Sequence, residues 1–334
     1  MAIKIKNNVS IISWASVGGC EEREGPLGAL IDMCDQKDDT FGMKNWESAE
    51  SEMQRLALGM GISRACLTPK DISAVFAGDL LNQCVGSSYG LLEYDIPYLG
   101  LYGACSTAAE GLLLASLMAG NVGGTFAAVA SSHNAASERQ FRSPVEYGGQ
   151  RSPTAQWTVT GAGAFIVSGS AAADFPKIRT VQIGRSLDSG LTDITNMGAA
   201  MAPAAADTLI RFFEETGTLP SAYDLIVTGD LGLEGAAILC DIMAIKGYDI
   251  SPCYGDCGIM IYNIESQDKH SGGSGCGCSA VVLASYILPM LKAGNFKNVL
   301  FVGTGALMSP MSLKEGQNIA GIAHLVHISG GRND

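Results

Sequence analysis

Charge is scarce in this sequence. Only 16% of its 334 residues are Asp, Glu, Lys or Arg, and the formal net charge is −12. No stretch gathers Lys and Arg into a stripe. This argues against non-specific nucleic-acid binding and against direct electrostatic docking on anionic lipid. Histidine is scarcer still, with four residues, and their settings suggest no metal centre. An unbroken membrane-spanning run is also missing. The best candidate, 112–130 (LLLASLMAGNVGGTFAAVA), carries no charge, but Asn121 and Gly123-Gly124 interrupt it. A span needs roughly 20 continuous apolar residues. The segment reads instead as helix, turn and buried parallel strand. The opening MAIKIKNNVSIISWAS alternates like a strand and lacks the apolar core of a secretory signal. The ten cysteines are therefore expected to be reduced, on the cytosolic side of the membrane.

What the chain does have is glycine, 42 residues of it, and 47% apolar residues, the composition of a tightly packed α/β protein. It also has an internal repeat. Residues 72–80 read ISAVFAGDL and residues 224–231 read DLIVTGDL. The first is followed by GACSTAAEGLLLASLMAGN (103–121), the second by GCGCSAVVLASYILPMLKAGN (275–295). In each copy a β-rich run ends at Gly-Asp, a small-residue turn carries cysteine, and an apolar helical run stops at Ala-Gly-Asn. Two related halves, 1–170 and 171–334, are expected around a pseudo-twofold axis with a pocket between them. Strands are expected at 73–77, 97–102, 125–130, 161–168, 224–228 and 298–303. Helices are expected at 46–61, 105–119, 203–216, 234–246 and 279–293, with Pro203 opening its helix. The alternation predicts mainly parallel sheets. Long polar loops at 131–160 and 247–274 are candidate sites of function.

Cys105 carries the strongest chemical signal. It follows a strand-like run and precedes a helix, so the positive helix end and free N–H groups are expected to lower its pKa or to bind an anion. A buried structural cysteine is an equally good reading. The repeat brings Asp79 and Asp230, and the turns of Cys105, Cys276 and Cys278, towards one axis. Asp after Gly at a strand end more often caps a following turn than contacts a ligand. His133, at the end of an apolar strand with Asn134 beside it, lies where open α/β sheets place site residues. His270 reads as solvated surface, and His327 as a satisfied histidine in a strand. Cys253, Cys257, Cys276 and Cys278 do not have the spacing of a structural zinc site. Gly161-x-Gly163 lacks the third glycine of a nucleotide loop.

GACST (103–107) after a strand, TGAGAFIVS (160–168) and the duplication resemble the thiolase and ketoacyl-synthase superfamily. FGMKNWESAE (41–50), AGDLLNQ (77–83), SSHNAASERQFRSPVEYGGQ (131–150), MGAAMAPAAADT (197–208), GGSGCGCSA (272–280), FVGTGALMSP (301–310) and GIAH (321–324) resemble, in order, the stage V sporulation protein AD family. The resemblance implies a thiolase-like α/β fold with stacked mixed sheets and buried helices, in a homodimer. It implies a protein that binds dipicolinic acid for uptake into the developing spore, with a role in germination, and that sits at the spore inner membrane through integral membrane partners. No cofactor is expected beyond calcium accompanying the ligand, for which Asp79 and Asp230 could serve as oxygen ligands.

Departures from the catalytic pattern decide how the site is read. Asp230 stands where ketoacyl synthases carry a histidine, and Cys276 and Cys278 where a Gly-rich loop carries Asn or His. His324, in GIAH, is the one histidine left in a family position. Claisen chemistry needs a base and oxyanion donors, and these are largely gone. The expected pocket is floored by Cys105, Cys276 and Cys278, flanked by Asp79 and Asp230, and lidded by the segment of His133, Asn134, Arg139 and Arg142. It binds and does not turn over. The competing reading is an acyltransferase or condensing enzyme with Cys105 as nucleophile.

Overall fold

The computed structural model describes residues 1–141, 151–170 and 174–331. Ten strands carry the architecture. The first five are β1 (Ser10–Gly18), β2 (Ala74–Gly78), β3 (Tyr98–Leu101), β4 (Thr125–Ser132) and β5 (Gly161–Ser168). The second five are β6 (Lys177–Gln182), β7 (Leu225–Thr228), β8 (Tyr254–Asp256), β9 (Asn298–Leu307) and β10 (Ala320–Ser329). The first set runs β3-β2-β4-β5-β1 across its sheet and the second β8-β7-β9-β10-β6, the same order. A single pair, Ser10 with Lys177, joins them. The repeat seen in two short motifs thus extends to every main strand.

The expectation of mainly parallel pairing is corrected. β2 is parallel to β3 and β4, and β7 to β8 and β9. β5 and β10 run antiparallel to both of their neighbours. The reason lies in the connections. From β4 to β5 and from β9 to β10 the chain turns back at the same sheet end instead of crossing over through a helix, and such a return gives an antiparallel neighbour.

Side-chain alternation divides the strands between three cores. Phe76 and Ala128 face an inner core, Val75 and Val129 an outer one. Helix α1 (Trp46–Arg64) covers the outer face of the first sheet through Met53, Ala57 and Leu58. Helices α3 (Met197–Thr216) and α4 (Gly232–Ile245) cover the outer face of the second through Leu209, Phe213 and Leu239. Between the sheets lie α2 (Thr107–Val122) and α5 (Cys276–Ala293), whose middle, Leu283–Ile287, is a π-helical turn. By length and a mean hydropathy of 1.5, α5 could cross a membrane, yet 72% of it is buried as this central layer. The 112–130 run is helix, a turn at Gly123-Gly124, then β4, as its sequence predicts.

Other boundaries shift for physical reasons. α3 begins six residues before Pro203, because the Asn196 side chain caps it by accepting from the Ala199 N–H at 3.2 Å. The segment 131–160 is not simply a loop: Asn134–Phe141 is helical and Trp157–Thr158 pairs with Gly273–Ser274. The segment 247–274 contains β8 and the short helix Cys257–Ile261. Strand 125–130 needs no partner subunit to cover it, since β2 and β5 flank it and α2 packs on it.

Glycine sets the closest approaches between layers. A Cβ on Gly163 of β5 would lie 2.6 Å from the Ala280 carbonyl oxygen of α5. One on Gly305 of β9 would lie 2.6 Å from the Gly103 carbonyl oxygen of the Cys105 turn. Backbone meets backbone at both places, which only glycine permits.

Candidate functional site

The turn after β3 places Cys105 in a short 3-10 segment, Ala104–Ser106, just before α2. The bend is tight, with Ala104 in the left-handed region at φ 51°. Cys105 is 6% exposed and lines a narrow cavity of about 40 Å³. One water needs roughly 10–15 Å³ on this scale, so the slot has room for about three. Tyr102 and Ala104 beside Cys105, Leu80 from the Gly-Asp turn, Ser137 and Glu138 from the Asn134–Phe141 helix, and Thr158 form much of its wall. Ser274 and Ala306 close the far side. Thr158 donates to Glu138 at 3.2 Å. The hydroxyl of Ser137 is buried and has no hydrogen-bond partner among the described residues. Among the described wall residues there is no Lys, Arg or His.

The expected lowering of the Cys105 pKa is overturned. Burial pushes the thiol well above its ordinary value, and the charge and hydrogen bond of the Asp230 carboxylate push it further. The helix end is too weak a field to offset both. Asp230 is fully buried; its carboxylate also accepts from Gly275 N at 2.8 Å, Thr304 Oγ1 at 2.7 Å and Ser274 Oγ at 3.3 Å. Burial pushes its own pKa up to about 7.

The other expected site residues stand behind the slot or away from it. Asp79 accepts from Leu81 N at 2.9 Å, Ser87 N at 2.7 Å and Ser87 Oγ at 2.5 Å, so it is a cap. Cys276 donates to the Ser131 carbonyl at 2.9 Å and Cys278 to the Gly229 carbonyl at 3.7 Å. Both thiols are fully buried and neither lines the slot. His133 is 1% exposed, with Nε2 against the Asp39 carbonyl at 2.9 Å, and burial lowers its pKa. Asn134 ties its N–H to Thr160 Oγ1 and its amide to the Thr158 carbonyl, both at 3.1 Å. Of that segment, Ser137 and Glu138, one helical turn on, line the slot. Arg139 pairs with Glu47 and stacks on Trp46. Arg142 lies outside the described residues.

His324 is in β10, opposite Gly303, and not in a loop. Its Nδ1 accepts from Gly184 N at 3.1 Å, and burial pulls its pKa down to about 4. His270 is half-buried, held to the Ser152 carbonyl at 2.6 Å, and is not the free surface group its sequence setting suggests. Backbone N–H groups of the two cysteine turns are partly spent. Gly103 N donates to Thr107 Oγ1 and Gly275 N to Asp230. Among the described residues no three His, Cys, Asp or Glu are grouped to hold a metal. Asp79 and Asp230, each satisfied by its own donors, do not form a shared calcium site.

Three buried polar residues escaped the sequence reading. Glu50 of α1 accepts from Ser131 Oγ at 2.9 Å; burial and the Asp79 charge hold its pKa well above the usual range. Asp256 accepts from Thr228 Oγ1 at 2.6 Å and Leu231 N at 2.8 Å and caps the start of α4. Thr304 of β9 anchors Asp230. Asp256 follows Gly255 at the end of β8 and Thr304 lies between Gly303 and Gly305, so the glycine signal could have found both; Glu50, inside α1, has none. Tyr102 and Ala104, immediately beside Cys105, were the slot residues most open to detection.

Known proteins of similar fold are condensing enzymes. The tetronic acid condensing enzyme AbyA1 superimposes with a TM-score of 0.60 and 16% identity, covering 96% of this chain and 100% of that one. OleA of Xanthomonas campestris gives 0.60 and 14%, covering 98% and 99%. At this identity the likeness shows a thiolase-like fold. Sequence similarity goes further. Stage V sporulation protein AD of Bacillus subtilis (strain 168) is 42% identical over 326 residues, 95% of this chain and 93% of that protein. The family profile described as stage V sporulation protein AD matches residues 1–329. With its duplicated sheets and its cysteine turn, the chain belongs to the stage V sporulation protein AD family.

Proposed function

We propose that the chain serves sporulation as a non-catalytic binding protein, and that the slot beside Cys105 takes dipicolinic acid for uptake into the developing spore. The observation that carries this reading is Ser137. Ser137 is a residue of the slot wall, and its buried hydroxyl has no partner among the described residues. A buried hydroxyl without a partner costs stability, and a carboxylate oxygen would relieve that cost. The slot, with room for about three waters, has to widen to admit a flat ring. The described wall residues include no cation, so a dicarboxylate is expected to enter partly neutralised, by a proton or as its calcium chelate. Burial holds the thiol's pKa well above its ordinary value, so it is not the thiolate that a condensing cysteine requires. Integral membrane proteins of the sporulation apparatus are the proposed partners, with release in germination as a further role.

Titration calorimetry with dipicolinate, its calcium chelate and benzoate tests the reading. Dipicolinate or its chelate should bind well ahead of benzoate. Ser137→Ala should weaken binding about tenfold, the worth of one hydrogen bond to a charged group, and Ala306→Leu should fill the slot and abolish it. Equal binding of benzoate, or binding untouched by both substitutions, would sink the proposal. OleA has been seen with bound lauric acid and lauroyl-CoA, so acyl transfer is the second reading. Acylation of Cys105 by acyl-CoA, read by intact mass, would favour it.

A homodimer is proposed through β3. Among the described residues that strand pairs only with β2, and Tyr98 and Leu99 on it and Tyr102 just after it are 37%, 48% and 46% exposed. Light scattering should give a dimer that Leu99→Lys dissociates; a monomeric wild type at micromolar concentration rules it out.

A further inference from the structure

Gln140 does not line the slot, yet it joins two parts of its wall. It belongs to the helix that brings Ser137 and Glu138 to the slot, and its amide grips the turn that brings Leu80. Nε2 donates to Asn82 Oδ1 at 2.9 Å and to the Leu80 carbonyl at 3.4 Å, and Oε1 accepts from Asn82 N at 3.2 Å. We infer that Gln140 is a positioning residue that latches the slot: while its amide holds the Leu80 turn the slot stays narrow, and its release admits the ligand. The inference rests on the reading of the slot as the binding site and adds how that site opens.

The two ends of the helix are held differently. At its start, His133 is buried against the Asp39 carbonyl, and Asn134 bonds the Thr158 carbonyl and Thr160 Oγ1. The Thr158–Glu138 bond lies between the ends. At the far end the contacts are near solvent: Asn82 is exposed, Gln140 is half-buried, and the exposed Arg139 holds Glu47. Solvent-exposed hydrogen bonds are the ones that open first. The start of the helix is thus a hinge and the Gln140 end the part that lets go. The grip also falls on strained backbone. Asn82 opens a 3-10 turn in which Gln83 and Cys84 stand in the left-handed region, at φ 61° and 54°. Two such residues in succession persist only where surrounding contacts over-determine them. Those contacts are the Asp79 cap on Leu81 N, the Cys84 thiol donating to the Leu101 carbonyl at 3.0 Å, and the Gln140 amide. Without the amide, the turn has one hold fewer and strain to release.

Cys105 reports the opening. It is 6% exposed and lines the slot, so a small thiol reagent reaches it when the slot widens. Methyl methanethiosulfonate transfers its methylthio group to the sulfur, with methanesulfinate leaving and the thiol proton passing to solvent. Labelling is followed by peptide mass in the folded full chain. Gln140 is uncharged and off the slot wall, so at fixed pH the rate ratio reads access. Gln140→Ala should label Cys105 at least about fivefold faster, the worth of one ordinary hydrogen bond. Cys276 and Cys278, fully buried and off the slot, should stay slow. Asn82→Ala, which keeps its N–H bonded to Oε1, should accelerate less, and the double variant no more than Gln140→Ala alone. An unchanged Cys105 rate in Gln140→Ala overturns the inference. So does Cys276 rising in step with Cys105, since Gln140 would then hold the fold and not the slot. If the alanine variant does not fold, Gln140→Glu, of the same shape without the amide donors, is read the same way. In stopped-flow mixing, dipicolinate should enter and leave Gln140→Ala faster; unchanged entry despite faster labelling would also overturn the inference, because the ligand then enters elsewhere. Labelling needs no dipicolinate, so faster labelling in a chain that binds none keeps the latch and sinks only the binding proposal.

Discussion

Asp79 and Asp230 close the same strand of the repeat, each after a glycine, and they do different work. Asp79 turns into its own half. It holds Leu81 N and both polar groups of Ser87, and it lies beside Glu50 in a buried polar cluster. Asp230 binds the Gly275 turn and Thr304 of its own half, and its charge bears on the Cys105 thiol of the other. The duplicated backbone delivers a carboxylate to the same point of each sheet. The neighbouring turn decides whether that carboxylate builds structure or governs a site.

The contrast is broken most forcefully by deletion. Asp79→Ala orphans two buried backbone N–H groups and should cost about 3 kcal/mol in chemical denaturation. Asp230→Ala orphans one backbone N–H, since the hydroxyls of Ser274 and Thr304 can turn elsewhere, and should cost about 1–2 kcal/mol. The reverse order would mean that Asp230 is the structural member of the pair.

Titration gives the next largest effect. Burial raises Asp230 to about 7 in the folded chain, above its usual value of 3.8. Its contribution is fully present below the unfolded value and is lost as pH rises through about 7. Glu22, at about 7, and Asp256, at about 6, act in the same direction. Denaturation midpoints should therefore rise as pH falls from 7.5 to 5, by up to about 1 kcal/mol per pH unit for each such group. Asp230→Asn should flatten part of that slope. A midpoint that falls over this range would contradict the burial of these carboxyls.

The smallest effect sharpens the comparison. Ser87→Ala and Thr304→Val each remove one hydroxyl donor, from Asp79 and Asp230 respectively, and each should cost about 1 kcal/mol. An unchanged denaturation midpoint in either variant would show that its hydroxyl does not hold the carboxylate.

The strands of the repeat could be read in advance because each is a short apolar run ended by glycine, a local pattern. The direction of β5 and β10 could not, because it depends on whether the chain crosses the sheet or turns back. Pro203 misled because the helix is started by a side-chain cap at Asn196, seven residues upstream of the proline. The Cys105 turn was legible as a strand-to-helix junction. Its chemistry was not, because the charge that governs the thiol comes from Asp230, 125 positions away in sequence. Ser137 and Glu138 were hidden because they face the slot only once 134–141 is helical.

The glycine contacts under the slot have a consequence for how anything gets in. Gly305 lies against the Gly103 carbonyl and Gly163 against the Ala280 carbonyl, so the floor is main chain pressed on main chain. Such a floor has no rotamers to change and no side-chain slack to yield. Access must come from the opposite wall, where Ser137, Glu138 and Met308 belong to a short helix and a strand connection. The slot works like a vise with one fixed jaw. Ligand size is then set by how far the moving jaw travels, and substitutions that stiffen 134–141 should slow both arrival and departure while leaving the fixed jaw, and the state of its sulfur, as they were.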